Sequence, residues 1–239
     1  MKGPICLITG VGSGLGLELA ALLASEYMIL GVSRHYPDDP RWKAIQDTRS
    51  GMHIAGDVAN AGTVKSCFDA CTEKGHLRLV INCAGTGVFG PAGSYSEDDV
   101  TETLKGNLIG TILFSDASFR TMKETGGTIV NVMSTAAHVG RANESVYCSA
   151  KWGARGYTES LRLEARTTKV KVVAVYPGGM NTRFWHNARK TSVDSAKFVD
   201  SSKFMDPLEV AEMIVAALKS HSNSYVSDLI INRFVTANL

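Results

Sequence analysis

The sequence predicts a doubly wound α/β fold in a single domain: a seven-stranded parallel sheet with helices on both faces. Three observations carry that expectation. Short apolar runs alternate with longer amphipathic segments almost from end to end, the order of repeated β–α–β units. Most of those runs are continuously apolar, as strands buried on both faces of a parallel sheet are. The first run leads directly into a glycine-rich turn, TGVGSGLG at 9–16, and then into a helical pattern.

In chain order, the strand candidates are PICLIT (4–9), YMILGVS (27–33), MHIAG (52–56), LRLVIN (77–82), GTIVNV (127–132), VKVVAVY (170–176) and YVSDLII (225–231). Helical patterns fall between them near 14–25, 60–74, 97–124, 146–167 and 207–220. No linker rich in Pro, Gly or Ser divides 1–239, so one domain is expected. The interval 177–206 has no convincing strand but carries Phe184, Trp185, Phe198 and Phe204. A long irregular segment inside a compact domain is expected to be functional, and residues 181–206 read as a substrate-binding lid.

Composition excludes several classes. The 239 residues are 44% hydrophobic and 20% charged, with a net charge of +2 and no basic stripe or acidic tail. Neither a nucleic-acid partner nor a membrane partner is expected. The longest apolar runs fall far short of a membrane span, and the N-terminus lacks the length of a secretory signal. The five cysteines form no CxxC, which fits free thiols in a reducing, cytoplasmic setting. Cys67 and Cys71 share a helix face without a nearby third ligand and read as packing residues. No metal site is expected, and no GxSxG elbow supports a hydrolase. His138 and His186 stand as candidates for the substrate mouth or for solvated positions.

Two features point to chemistry. A helix N-terminus presents unpaired N–H groups and positive dipole density, so the glycine turn is a candidate phosphate site. Position 15 is leucine, so the glycines at 10, 14 and 16 spell TGxxxGxG rather than GxGxxG. Tyr147 and Lys151 stand four residues apart in a helical pattern. That spacing puts a phenol and an ammonium on one helix face.

These motifs, in this order, make the chain similar to the short-chain dehydrogenase/reductases. Asp57–Val58 sits where that family contacts adenine. NCAG at 82–85 resembles its NNAG, with Cys83 in place of the second asparagine. Asn107 falls at the structural asparagine of the long fourth helix. Ser134 precedes Tyr147 by thirteen residues, and YxxxK occurs once among seven tyrosines. PGGMNT at 177–182 matches PGxxxT.

The resemblance implies a Rossmann-type nucleotide-binding domain and an oxidoreductase acting on a carbonyl or secondary alcohol. It implies a catalytic set of Asn107, Ser134, Tyr147 and Lys151. Thr9, Gly10, Gly12, Ser13, Gly14, Leu15 and Gly16 would hold the cofactor, with Ser33, Arg34, Asp57, Val58, Asn82, Ala84 and Gly85. Tyr147, Lys151, Pro177, Gly178 and Thr182 would complete that set. Hydride arrival at a carbonyl puts negative charge on oxygen, which needs a proton donor and a hydrogen-bond donor in place. The Lys151 ammonium and an oxidised nicotinamide are expected to lower the pKa of Tyr147.

NAD-preferring members carry an aspartate at the place of Ser33. Serine does not repel a 2′-phosphate and Arg34 can pair with one, so NADP(H) is the expected cofactor, preferred over NAD(H). A small-molecule carbonyl or alcohol substrate is expected against Phe89, Val139, Trp185 and Phe198. The resemblance also implies a homodimer or homotetramer. The alternative from another class is a non-catalytic NADP(H)-binding sensor, which has no need of Ser134, Tyr147 and Lys151 together.

Overall fold

A computed structural model describes residues 3–48, 50–191, 204–219 and 224–234. The chain opens with β1 (Pro4–Thr9), α1 (Gly14–Leu23), β2 (Met28–Ser33), α2 (Pro40–Asp47), β3 (Gly51–Ala55), α3 (Ala61–Lys74) and β4 (His76–Asn82). It continues through β5 (Val88–Phe89), α4 (Glu97–Leu104), a π-helical turn (Lys105–Ile109), α5 (Gly110–Met122) and β6 (Gly127–Val132). A 3-10 turn (Thr135–Ala137), α6 (Ser145–Glu164), β7 (Val170–Pro177), α7 (Arg183–Asn187), β8 (Arg189–Lys190), α8 (Pro207–Leu218) and β9 (Asp228–Ile231) complete it. No helix among the described residues is long and apolar enough to cross a membrane.

All seven expected strands pair in one parallel sheet, in the order β3-β2-β1-β4-β6-β7-β9. Alternate residues of each strand feed opposite faces. Cys6 and Ile8 pack with α1, α2 and α8, whereas Ile5 and Leu7 pack with α3, α5 and α6. Both faces are therefore apolar, which is why the strands read as unbroken hydrophobic runs. The chain leaves β1 to one side for β2 and returns to its other side for β4. The carboxyl ends of those strands diverge there and leave a crevice, the place where such sheets bind ligands.

Three departures from the sequence pattern matter for the site. Helix α2 fills an interval where no helix is expected. It starts at an Asp39 cap that accepts from Arg41 N, with Pro40 in the first turn, and it drives Trp42 fully into the core. The expected helix 97–124 is interrupted by the π turn at Lys105–Ile109. Asn107 Nδ2 donates to Thr103 O at 2.9 Å and to Thr86 O at 2.7 Å, outside the helix. That side chain competes for helical backbone acceptors and distorts the ladder.

The third departure lies in the lid, where β5 and β8 pair in parallel. Arg189 N donates to Gly87 O and Thr191 N to Phe89 O, each at 3.0 Å. At the other stem of the lid, Asn181 N and Met205 N exchange bonds with Met205 O and Gly179 O. Phe198 and residues 192–203 of the expected lid lie outside the described residues.

Candidate active site

A cavity of about 630 Å³ opens at the carboxyl ends of the central strands, where the glycine turn, the loop after β4, Ser134, Tyr147 and the start of the lid meet. Its phosphate end is built by β1 and α1. Gly10 has φ +82°, and a Cβ there would stand 2.8 Å from the Ala84 backbone. Only glycine fits both the conformation and the approach. Thr9 lies beneath, its Oγ1 accepting from Cys83 N and Ala84 N at 3.1 Å each.

Ser13 caps α1 by backbone position alone, with no side-chain bond, whereas α2, α3, α4 and α8 all begin with side-chain caps. The first N–H groups of α1 are thus free of side-chain partners and face the cavity, the arrangement that favours an anion. Gly12, Gly14, Leu15 and Gly16 line the cavity there, and Thr182, after Pro177 and Gly178, closes over them.

At the end of β2, Ser33 Oγ donates to His35 O at 2.7 Å and stands 2.9 Å from His53 Nε2. A hydroxyl has one hydrogen, so the histidine contact needs Nε2 as donor. Burial holds His53 below its usual pKa. Arg34 is exposed, lines the cavity and has no ion-pair partner among the described residues. Asp57 and Val58 line the same end. Asn82 stands beneath the cavity, its Nδ2 donating to Ser115 Oγ at 2.9 Å and Asn131 Oδ1 at 2.8 Å.

The four candidate catalytic residues converge at the far end. Ser134 follows β6 in extended conformation and its Oγ accepts from Ala136 N at 3.1 Å. The Ser134 side chain also acts on the Tyr147 phenol, opposing the rise in its pKa. Lys151 is buried, donates from Nζ to Val132 O at 3.4 Å, and stands 5.7 Å from the Tyr147 ring centroid. Asn107 Oδ1 is buried without a partner among the described residues. A Cβ at Gly85 would sit 2.7 Å from that oxygen and 3.6 Å from Lys151 Nζ. Glycine at 85 therefore leaves an acceptor and an ammonium facing one gap.

Burial dominates the electrostatics. It pulls Lys151 down to about 8, against a small opposing effect of Cys83. It also pushes Tyr147 well above the usual phenol range, with Ser134 opposing and Glu144 adding to the rise. Desolvation of the phenolate is the largest of these effects.

Around Tyr147 the walls are aromatic. Its ring lies 5.9 Å from Phe89 and 5.7 Å from Phe184, and Trp185 stacks on Phe89 at 5.3 Å. Phe184 and Trp185 line the cavity, whereas Phe89 is buried behind them. Val139 is 62% exposed, outside the lining. His138 packs against Tyr176 and receives Arg155 Nη1 at Nδ1, and His186 is exposed; neither lines the cavity.

Arg141 and Glu144 do line it. Nothing in their local sequence marks them beyond their place between Ser134 and Tyr147. Among the described residues no cluster of three His, Cys, Asp or Glu could hold a metal.

Known proteins share the family and the fold. Residues 4–193 match the family model described as short chain dehydrogenase. The chain is 29% identical to a sepiapterin reductase of Chlorobaculum tepidum, over 95% of both proteins. A crystal structure of a short-chain dehydrogenase/reductase from Vibrio parahaemolyticus superposes with a TM-score of 0.82 at 31% identity, covering 98% of this chain and 99% of that one. An alcohol dehydrogenase from Thermococcus sibiricus, complexed with 5-hydroxy-NADP, shares the fold with a TM-score of 0.84 at 22% identity, with full coverage of both chains.

Proposed function

The chain belongs to the short-chain dehydrogenase family, and from that premise we propose that it is an NADP(H)-dependent reductase of small carbonyl compounds, with Tyr147 as the acid/base. The observation that carries the reading is the meeting of Ser134, Tyr147 and Lys151 in the cavity that begins at the uncapped end of α1.

The residues present suit a dinucleotide. The free N–H groups of α1 would hold its diphosphate, and Arg34 would pair with a 2′-phosphate. Lys151 uses one donor on Val132 O, which leaves two for ribose hydroxyls. Held there, a reduced nicotinamide would supply the hydride for carbonyl reduction.

The chain's own residues manage the oxygen. Ser134 fixes its position, and Tyr147, kept protonated by burial, gives it a proton. Lys151 and the orphan Oδ1 of Asn107 share the gap beside Gly85. A water held there would return a proton towards Tyr147 through Lys151. The aromatic wall keeps bulk water from the reacting atoms, so each of these hydrogen bonds acts at low dielectric.

Ile109, Trp152 and Leu163 are exposed on the π turn and α6, an apolar surface in keeping with a homodimer or homotetramer. The test of function is NADPH oxidation, followed by absorbance, over a panel of ketones and aldehydes. Tyr147→Phe should fold and lose turnover by about 10²-fold or more. Tight NADPH binding with no turnover of any carbonyl would favour the sensor reading instead.

A further inference from the structure

Glu144 precedes Tyr147 by three residues at the start of α6, so the two share a helix face. Its backbone caps the helix, yet its carboxylate makes no cap hydrogen bond. The side chain is 18% exposed and lines the cavity. Its one ion-pair contact among the described residues is Arg141 Nη1 at 3.8 Å, beyond hydrogen-bond reach. Arg141 is itself engaged, donating from Nη2 to Thr135 Oγ1 at 2.6 Å.

The loop that presents Glu144 is fixed. Asn143 has φ +64°, and its carbonyl accepts from Gly90 N at 2.9 Å, while Tyr95 Oη donates its one hydrogen chiefly to Gly90 O and stands 3.1 Å from the same Asn143 carbonyl. A mostly buried carboxylate is thus held near the phenol with no hydrogen-bond donor among the described residues. Burial pushes its pKa up and Arg141 opposes that rise. Such a group gains most from an incoming N–H donor that carries positive charge.

We propose that the substrate end of the cavity is an amine site, in which Glu144 and the aromatic faces of Phe184 and Trp185 select carbonyl compounds carrying a protonated amine. This rests on the reductase reading of the same cavity. Aromatic faces attract cations through their quadrupole, most strongly where water is excluded. Aromatic rings and a carboxylate lining one cavity supply the two kinds of group that hold an alkylammonium. Ser134 and Tyr147 hold the carbonyl oxygen at the same time, so the amine must lie only a few bonds from that carbon.

The test compares N-methylpiperidone, cationic at neutral pH, with methylcyclohexanone, which has the same ring shape without the charge. The expected result is a kcat/KM favouring the amine by about tenfold or more, a preference erased by Glu144→Gln. Phe184→Leu should narrow it too, and carries the test if the first variant fails to fold. Equal efficiency with both ketones, or a ratio unmoved by either substitution, overturns the amine site and leaves the reductase reading standing. Preference for a keto acid overturns it as well.

Calorimetric titration of the protein with N-methylpiperidone separates the two readings. Glu144-dependent binding without turnover of either ketone keeps the amine site and overturns the reductase. Absence of both binding and turnover overturns the amine site.

Discussion

Lys151 lies under the face of Tyr147, its Nζ 5.7 Å from the ring centroid, and both side chains are buried. The pair therefore shares one desolvated environment, and each group is driven towards its neutral form. A site of this kind stores its readiness in burial and depends on incoming charges to move protons.

That relationship sets a pH dependence of stability. Lys151 titrates near 8 in the fold against an ordinary value of 10.5. Below about pH 8 both folded and unfolded chains carry the charge, and the fold bears its burial in full. Between about 8 and 10.5 the unfolded chain binds more protons, so this group's contribution to stability rises with pH. Lys151→Met should accordingly melt higher than the native chain at pH 7, with the gap shrinking by pH 9.5 or above. Thermal melts at the two pH values decide it; a variant less stable at pH 7 would contradict the burial argument.

Arg34 governs the cofactor prediction. It is exposed and without an ion-pair partner among the described residues, so its removal leaves no stranded charge and should barely change stability. Arg34→Ala is expected to raise KM for NADPH by about tenfold while changing NADH little, since a charge-assisted phosphate contact contributes about 1.5–3 kcal/mol. Steady-state KM values for both nucleotides check this, and an equal effect on the two would remove Arg34 from phosphate recognition.

Helix α2 supplies a stability test. A Cβ on Gly31 would stand 2.5 Å from the buried Trp42 ring and 2.7 Å from Val11 Cγ2. Gly31→Ala should therefore cost about 1–3 kcal/mol by overpacking, read as a lower denaturant midpoint. A neutral result would mean that Trp42 can swing aside.

What was legible in the sequence followed from how local its causes are. All seven sheet strands were readable because their residues alternate between two apolar cores, as Ile5 and Leu7 against Cys6 and Ile8 show. The carboxyl-end positions of Ser134 and the glycine turn followed from that strand order.

Helix α2 was missed although Asp39 and Pro40 carried a start signal, because its apolar face consists of little more than Trp42 and Ile45. The π turn was invisible, since Asn107 bonds Thr86 from a loop 21 residues away. Arg141 and Glu144 carry no motif; the spacing of Glu144 brings it near Tyr147, but only folding makes both line the cavity. The upward push on the phenol is likewise set beyond the local sequence, because depth of burial is a tertiary quantity.

The gap beside Gly85 offers the sharpest separation of chemistry from folding. The glycine lines the cavity, and a methyl group there would come 2.7 Å from Asn107 Oδ1 and 3.6 Å from Lys151 Nζ. The near oxygen is already buried and without a partner among the described residues, so the added carbon removes room for a water or hydroxyl that both groups could share. A merely structural glycine would show its loss in stability. A glycine that keeps a proton route open would show it in turnover. Gly85→Ala is therefore expected to lower kcat for carbonyl reduction by about tenfold or more, as loss of an acid/base route does, with a smaller change in NADPH binding measured by fluorescence titration. A solvent isotope effect on kcat that grows in the variant would place the slowed step at proton transfer. Unchanged kcat with a lowered melting point would assign Gly85 to packing and take the Asn107–Lys151 gap out of the mechanism.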